Sequence, residues 1–150
     1  MLGESWFRSG SDNLLHSIRT GDTAFERAHG LGAWAYFERH PDANALFNAA
    51  MNSVAPIKAN ATVNAYDFCE FGVVVDVGGG HGTLLAAILA RHPKVRGILF
   101  DQPHVVEGAS AVLGAAGVAE RCEIVAGSFF EAVPAGGNAY ILQTVIQPSA

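Results

Sequence analysis

Val73-Val74-Val75-Asp76-Val77-Gly78-Gly79-Gly80-His81-Gly82-Thr83-Leu84-Leu85 decides how the chain folds. The first five residues are β-branched and apolar except for one acid near the end. That composition predicts a buried parallel strand. Gly78, Gly80 and Gly82 follow at alternate positions, and the apolar run Leu84 to Leu89 has helical character. A strand, a glycine turn and a helix start make a ligand site in open α/β sheets. Glycine lets the backbone approach a ligand closely, and the helix N-terminus presents free N–H groups.

The spacing narrows the ligand. A dinucleotide fingerprint reads G-x-G-x-x-G, and its third glycine would fall at Thr83. The pattern here is Asp76-x-Gly78-x-Gly80-x-Gly82. It resembles motif I of the methyltransferases that use S-adenosylmethionine (SAM).

The segments around it set the architecture. Arg96 to Asp101, Cys122 to Ala126 and Ala139 to Leu142 read as three further strands. A helix from about Gly82 to His92 is closed by Pro93, and a helical stretch opened by Pro103 runs through Leu113 to Gly117. This β-α-β-α-β-β series predicts right-handed crossovers and a mostly parallel sheet. The first half is helical. Ser11 or Asp12 can cap a helix whose Leu14, Leu15 and Ile18 share a face, with Gly21 ending it. Thr23 and Glu26 fit a capping box. Ala33 to Arg39 is a short helix, and Pro41 opens a long one that Pro56 is expected to kink or interrupt.

The 150 residues allow one domain at most, and with half of them hydrophobic a core can form. A net charge of −5 and the lack of any basic run argue against nucleic acid. Cys69 and Cys122 form no C-x-x-C and read as buried small hydrophobes. No signal peptide or membrane span is legible, so a cytoplasmic location is expected. No acidic cluster has metal-ligand spacing, so no metal site is expected.

Asp101 ends the second strand, 19 residues after Gly82. An acid there accepts hydrogen bonds from ribose hydroxyls and repels a 2′-phosphate. Gly127-Ser128-Phe129-Phe130 follows the third strand. Ser128 is placed to meet a base edge, and Phe129 either packs on its face or belongs to the core.

Taken together, these stretches look like the plant-type small-molecule O-methyltransferases and their bacterial relatives. The residues that carry the resemblance are Arg19-Thr20-Gly21 with Ala24-Phe25, Phe47-Asn48 with Met51, the glycine motif, Leu99-Phe100-Asp101-x-Pro103-His104-Val105, and Gly127 to Phe130. The resemblance implies an α/β, Rossmann-like SAM-methyltransferase fold, incomplete, with about four mostly parallel strands in the order 3-2-1-4 behind a helical segment. Residues 1–66 would be that segment, packing on the methyltransferase core. Residues 67–150 would be the N-terminal half of the SAM-binding domain.

The resemblance also implies the cofactor, SAM, and its residues. Gly78 and Gly80 would hold its methionine part, Asp101 its ribose, and Ser128 and Phe129 its adenine, with Asp76 also among the cofactor-binding residues. Phe47 and Met51 would line the cofactor and acceptor pocket. The acceptor would be a hydroxyl of a small aromatic or polyketide-like molecule, with no nucleic acid or membrane partner.

Three positions depart from the family. Ser128 stands where an Asp usually contacts adenine, and Gln143 where a basic residue is common. Gln147 stands at the general-base His, and an amide cannot take a proton from a hydroxyl. No catalytic residue is therefore expected, and the chain reads as a truncated form with little activity. The resemblance implies that the family's winged-helix dimerisation domain lies outside these residues, so self-association is expected to go by other surfaces. The alternatives are a non-catalytic SAM-binding remnant acting as an interaction protein, and an NAD module, which Thr83 disfavours.

Overall fold

The computed structural model describes residues 3–145, which form two compact units parting between Ser53 and Val54. The first unit holds helices α1 (Ser5–Asp12), α2 (Leu14–Thr20), α3 (Ala24–His29), α4 (Ala33–Arg39) and the first half of α5 (Pro41–Ala65). Its core is aromatic. Trp6, Phe37 and Ala43 are buried, with Phe7, Phe25, Tyr36 and Phe47 packed around them. His29 lies between Phe25 and Tyr36, at ring-centroid distances of 4.4 and 4.6 Å. Its Nε2 is 2.9 Å from the Trp6 carbonyl, which can only accept, so that nitrogen carries the proton.

Local signals explain most helix ends in this unit. Thr23 Oγ1 accepts from the Glu26 N–H at 3.2 Å, as the capping box requires. Gly21 and Gly30 end α2 and α3 with φ of 84° and 73°, which favours glycine. One expectation fails. The N-cap of α2 is Asn13, because Ser11 and Asp12 are already inside α1. Leu14, Leu15 and Ile18 do share a face, but it points to solvent, with exposures of 59%, 56% and 73%. Pro56 does not interrupt α5, which is helical from Pro41 to Ala65.

The second unit is built on a four-stranded parallel sheet in the order β3-β2-β1-β4. The strands are β1 (Val73–Val77), β2 (Arg96–Asp101), β3 (Cys122–Ala126) and β4 (Ala139–Ile141). β1 is central and covered on both faces, which is why its sequence does not alternate apolar with polar. On the Val74 face lie the buried Leu84, Leu85, Ile88 and Leu89 of α6 (Thr83–Arg91) and Leu113 of α8 (Ala109–Ala115). The other face gathers Val75, Val77 and Phe100 with Ile98, Val125 and Phe129.

Gly97 sets how closely α6 packs on the sheet, since a Cβ there would lie 2.9 Å from both methyls of Leu85. The single helix expected after Pro103 is two, α7 (Pro103–Val106) and α8, parted at Glu107-Gly108. Neither cysteine is buried. Cys69 is exposed, Cys122 is half-buried, and both are free thiols.

Candidate functional site

The carboxyl ends of β1 and β2 lie side by side, with Val77 paired to Phe100. The chain leaves β1 through Gly78, whose N–H donates to the Phe100 carbonyl at 2.8 Å. Gly78, Gly80 and Gly82 have φ of 69°, 61° and 81°, so the alternate spacing of the glycines reflects three left-handed residues in one turn. At Gly78 a Cβ would come within 2.5 Å of Val145 Cγ2, and at Gly80 it would meet nothing within 4 Å. Gly80 therefore lines open space on the outer side of the turn, directly before the N-terminus of α6.

Asp101 closes β2 beside this turn. Its Oδ2 accepts the Gly80 N–H at 2.8 Å and its Oδ1 the Gln102 N–H at 2.7 Å. Each oxygen keeps a lone pair for a further donor. The Gly127 N–H donates to the Asp101 carbonyl at 3.0 Å, which brings the end of β3 to the same edge. Ser128 and Phe129 follow. Phe129 packs into the Val75, Val77 and Phe100 cluster, and Phe130 beside it is 85% exposed.

Asp76 lies beneath the turn. It is 2% exposed, and its Oδ2 is buried with no hydrogen-bond partner. A Cβ on Gly79 would stand 2.7 Å from that oxygen, so the carboxyl fills the underside of the turn. Burial, and next the charge of Asp101, push its pKa up to about 7. An unpaired buried carboxyl is costly, and such groups concentrate at functional sites.

Asp76, Gly78, Gly80 and Asp101 are thus brought together at one sheet edge, with Ser128 and Phe129 at the adjoining strand end. Phe47 and Met51 belong to the first unit. There Phe47 packs against Phe37 at 4.9 Å between ring centroids, and Met51 is 38% exposed. Gln147 lies outside the described residues. Gln143 donates to Thr62 Oγ1 at 2.9 Å and ties the end of β4 to α5. Two contributors were not read from the sequence. Gly79 leaves room for the Asp76 carboxyl, and Val145 closes over Gly78. The third glycine standing between Gly78 and Gly80 was a signal for the first. Nothing in the sequence pointed to the second.

Asp101 offers free acceptor capacity at this edge, Gly80 faces open space, and Asp76 leaves a buried carboxyl oxygen unmatched, so the arrangement can take a ligand with hydrogen-bond donors and a positive charge. Among the described residues no group of three His, Cys, Asp or Glu could hold a metal ion. No helix among them is long and apolar enough to cross a membrane.

Comparison with known proteins agrees with this geometry. The chain is 47% identical over 146 residues to a phenazine O-methyltransferase of Lysobacter antibioticus, covering 97% of this chain and 42% of that protein. It is 41% identical over 141 residues to the mitomycin biosynthesis 6-O-methyltransferase of Streptomyces lavendulae, covering 94% and 40%. Among solved structures, an O-methyltransferase from neocarzinostatin biosynthesis, in complex with SAM and 2-hydroxy-5-methyl naphthoic acid, matches with a TM-score of 0.77 at 33% identity, over 94% of this chain and 44% of that one. The chain spans about two-fifths of the length of the curated relatives it matches. Residues 11–148 match the O-methyltransferase domain, and the chain belongs to that SAM-dependent family of small-molecule O-methyltransferases.

Proposed function

We propose that this chain binds SAM at the glycine turn, as part of an enzyme that transfers its methyl group to a hydroxyl of a small aromatic or polyketide-like acceptor. The observation that carries the reading is the Gly80 to Asp101 hydrogen bond beside the unpartnered Asp76 carboxyl. Gly78 and Gly80 shape the turn, Asp101 accepts from the ribose hydroxyls, and Asp76 faces the positive charge of the cofactor. Ser128 meets the adenine edge and Phe129 packs beside it. Residues 67–150 are read as the first half of the SAM-binding domain and residues 1–66 as a helical segment preceding it, in a cytoplasmic protein.

SAM supplies an electrophilic methyl on a sulfonium, so transfer depends mainly on positioning. What this chain contributes is binding and orientation, since Gln147 stands where a base is expected and cannot take up the acceptor's proton. Every relative named above is a transferase, which gives no support to the reading as a non-catalytic interaction protein. The test is to incubate the chain with methyl-labelled SAM and phenolic acceptors. Retention of label on the protein with little transfer supports the reading. Failure to retain SAM overturns it.

A further inference from the structure

Asp76 is the one group of the turn whose chemistry the family reading leaves unfinished. Its Oδ2 is buried and makes no hydrogen bond, while both oxygens of Asp101 are held by backbone N–H groups. A carboxyl in that state pays for burial in one of two ways. It carries a proton, or it meets a cation. Among the described residues no cationic side chain neutralises it. On the sheet face that Asp76 shares with Val74, α6 presents Leu84, Leu85, Ile88 and Leu89, α8 presents Leu113, and β4 presents Ile141.

The titratable groups around Asp76 are few. Asp101 closes β2 and repels a second negative charge. Cys122 opens β3, and burial raises its thiol to about 11, so it stays neutral. His81 is in the turn itself, but its ring lies over Gly108, whose Cβ would be 3.1 Å from Nε2. None of these neutralises an ionised Asp76.

We infer that Asp76 makes the glycine turn a proton-coupled receptor for a cation, so that a cationic ligand settling against the turn releases the proton the buried carboxyl otherwise holds. The inference rests on the proposed SAM site and adds a property to it. The site would select by charge. A ligand with a sulfonium or ammonium group near the turn compensates Asp76, whereas a pyrophosphate there would face two carboxyls. That selection works against the preference of the α6 N-terminus for anions, and it explains how a glycine turn before a helix can refuse a dinucleotide.

The test is isothermal titration calorimetry of the full 150-residue chain with SAM at pH 6.5, in phosphate and in imidazole buffer. At that pH the ligand's amino group stays protonated. Wild type should release roughly three-quarters of a proton per SAM bound, read from the buffer dependence of the heat, and the release should shrink as pH is raised to 7.5. Asp76→Asn should bind about tenfold more weakly and release none, while His81→Gln should leave the release unchanged. If Asp76→Asn binds too weakly to measure, the wild-type decline between the two pH values decides alone. SAM binding with equal heats in both buffers, or a release that persists in Asp76→Asn, overturns the coupling and leaves the SAM site standing. Absence of binding by SAM and by its demethylated product overturns both.

Discussion

Gly80 donates its backbone N–H to Asp101 Oδ2 at 2.8 Å, across the ends of two adjacent parallel strands. The bond fixes the turn after β1 against the end of β2, so the open side of the glycine turn and the carboxyl proposed to accept from a ribose are set by one contact. On that proposal, the residue that holds the ribose also holds the turn.

The glycines of the turn should separate stability from binding. Gly78→Ala would put a Cβ 2.5 Å from Val145 Cγ2 in a residue at φ 69°. The expected loss is about 2–4 kcal/mol, from left-handed strain and overpacking together. Gly80→Ala meets open space at φ 61° and should lose only about 1–2 kcal/mol, while still obstructing the ligand. Urea denaturation and SAM binding on both variants check this. Equal destabilisation would contradict it.

Stability should fall as pH rises from about 4 to 7. The folded pKa of Asp76 is raised from 3.8 to about 7, so the folded state holds a proton that the unfolded state has lost in that window. The full effect is on the order of 4 kcal/mol, complete above the folded pKa. Asp76→Asn removes the dependence, so the variant should gain on wild type as pH rises. Denaturation midpoints at pH 5 and pH 8 read the sign directly, and a wild type that gains stability over that range would refute it.

Arg121 should matter to the fold rather than to the ligand. Its guanidinium donates to the carbonyls of Leu89 at 2.6 Å, Val95 at 2.8 Å and His92 at 3.2 Å, closing the C-terminal end of α6. Arg121→Ala strands these acceptors and should lower stability by about 2–4 kcal/mol. The melting temperature measures it, and SAM affinity of the folded fraction should be unchanged.

Much of the fold was legible because β1 declares itself. A β-branched run ending in an acid and a glycine turn admits few alternatives, and the other strands are short apolar runs at parallel-crossover spacing. β1, β2 and β3 are found with the expected bounds, and the fourth ends one residue early, at Ile141. The local reading of helices went less far. Leu14, Leu15 and Ile18 share the expected face, but periodicity does not say whether anything covers it. Pro56 lacks an N–H, but α5 continues through it. The candidate site was legible as far as its backbone: spacing singled out Gly78, Gly80 and Asp101, which the fold brings to one sheet edge. It did not reveal that Asp76 is left without a partner, which depends on Gly79 having no side chain.

Self-association is expected through two exposed apolar features. Among the described residues β4 has no strand on its outer side, and Tyr140 and Leu142 are each 43% exposed. The α2 face of Leu14, Leu15 and Ile18 is the second. An uncharged edge strand invites pairing. Light scattering over a concentration series should show growth in mass that Leu142→Lys or Ile18→Lys reduces. A monomer at all concentrations would contradict it.

The most direct test of the SAM site is equilibrium dialysis of labelled SAM against wild type and Asp101→Ala, with NAD as competitor. Losing hydrogen bonds to a charged acceptor costs about 1.5–3 kcal/mol, so Asp101→Ala should weaken SAM binding roughly 10- to 100-fold. The demethylated product should displace SAM, and NAD should not. Displacement by NAD, or undiminished SAM binding by Asp101→Ala, would contradict the account.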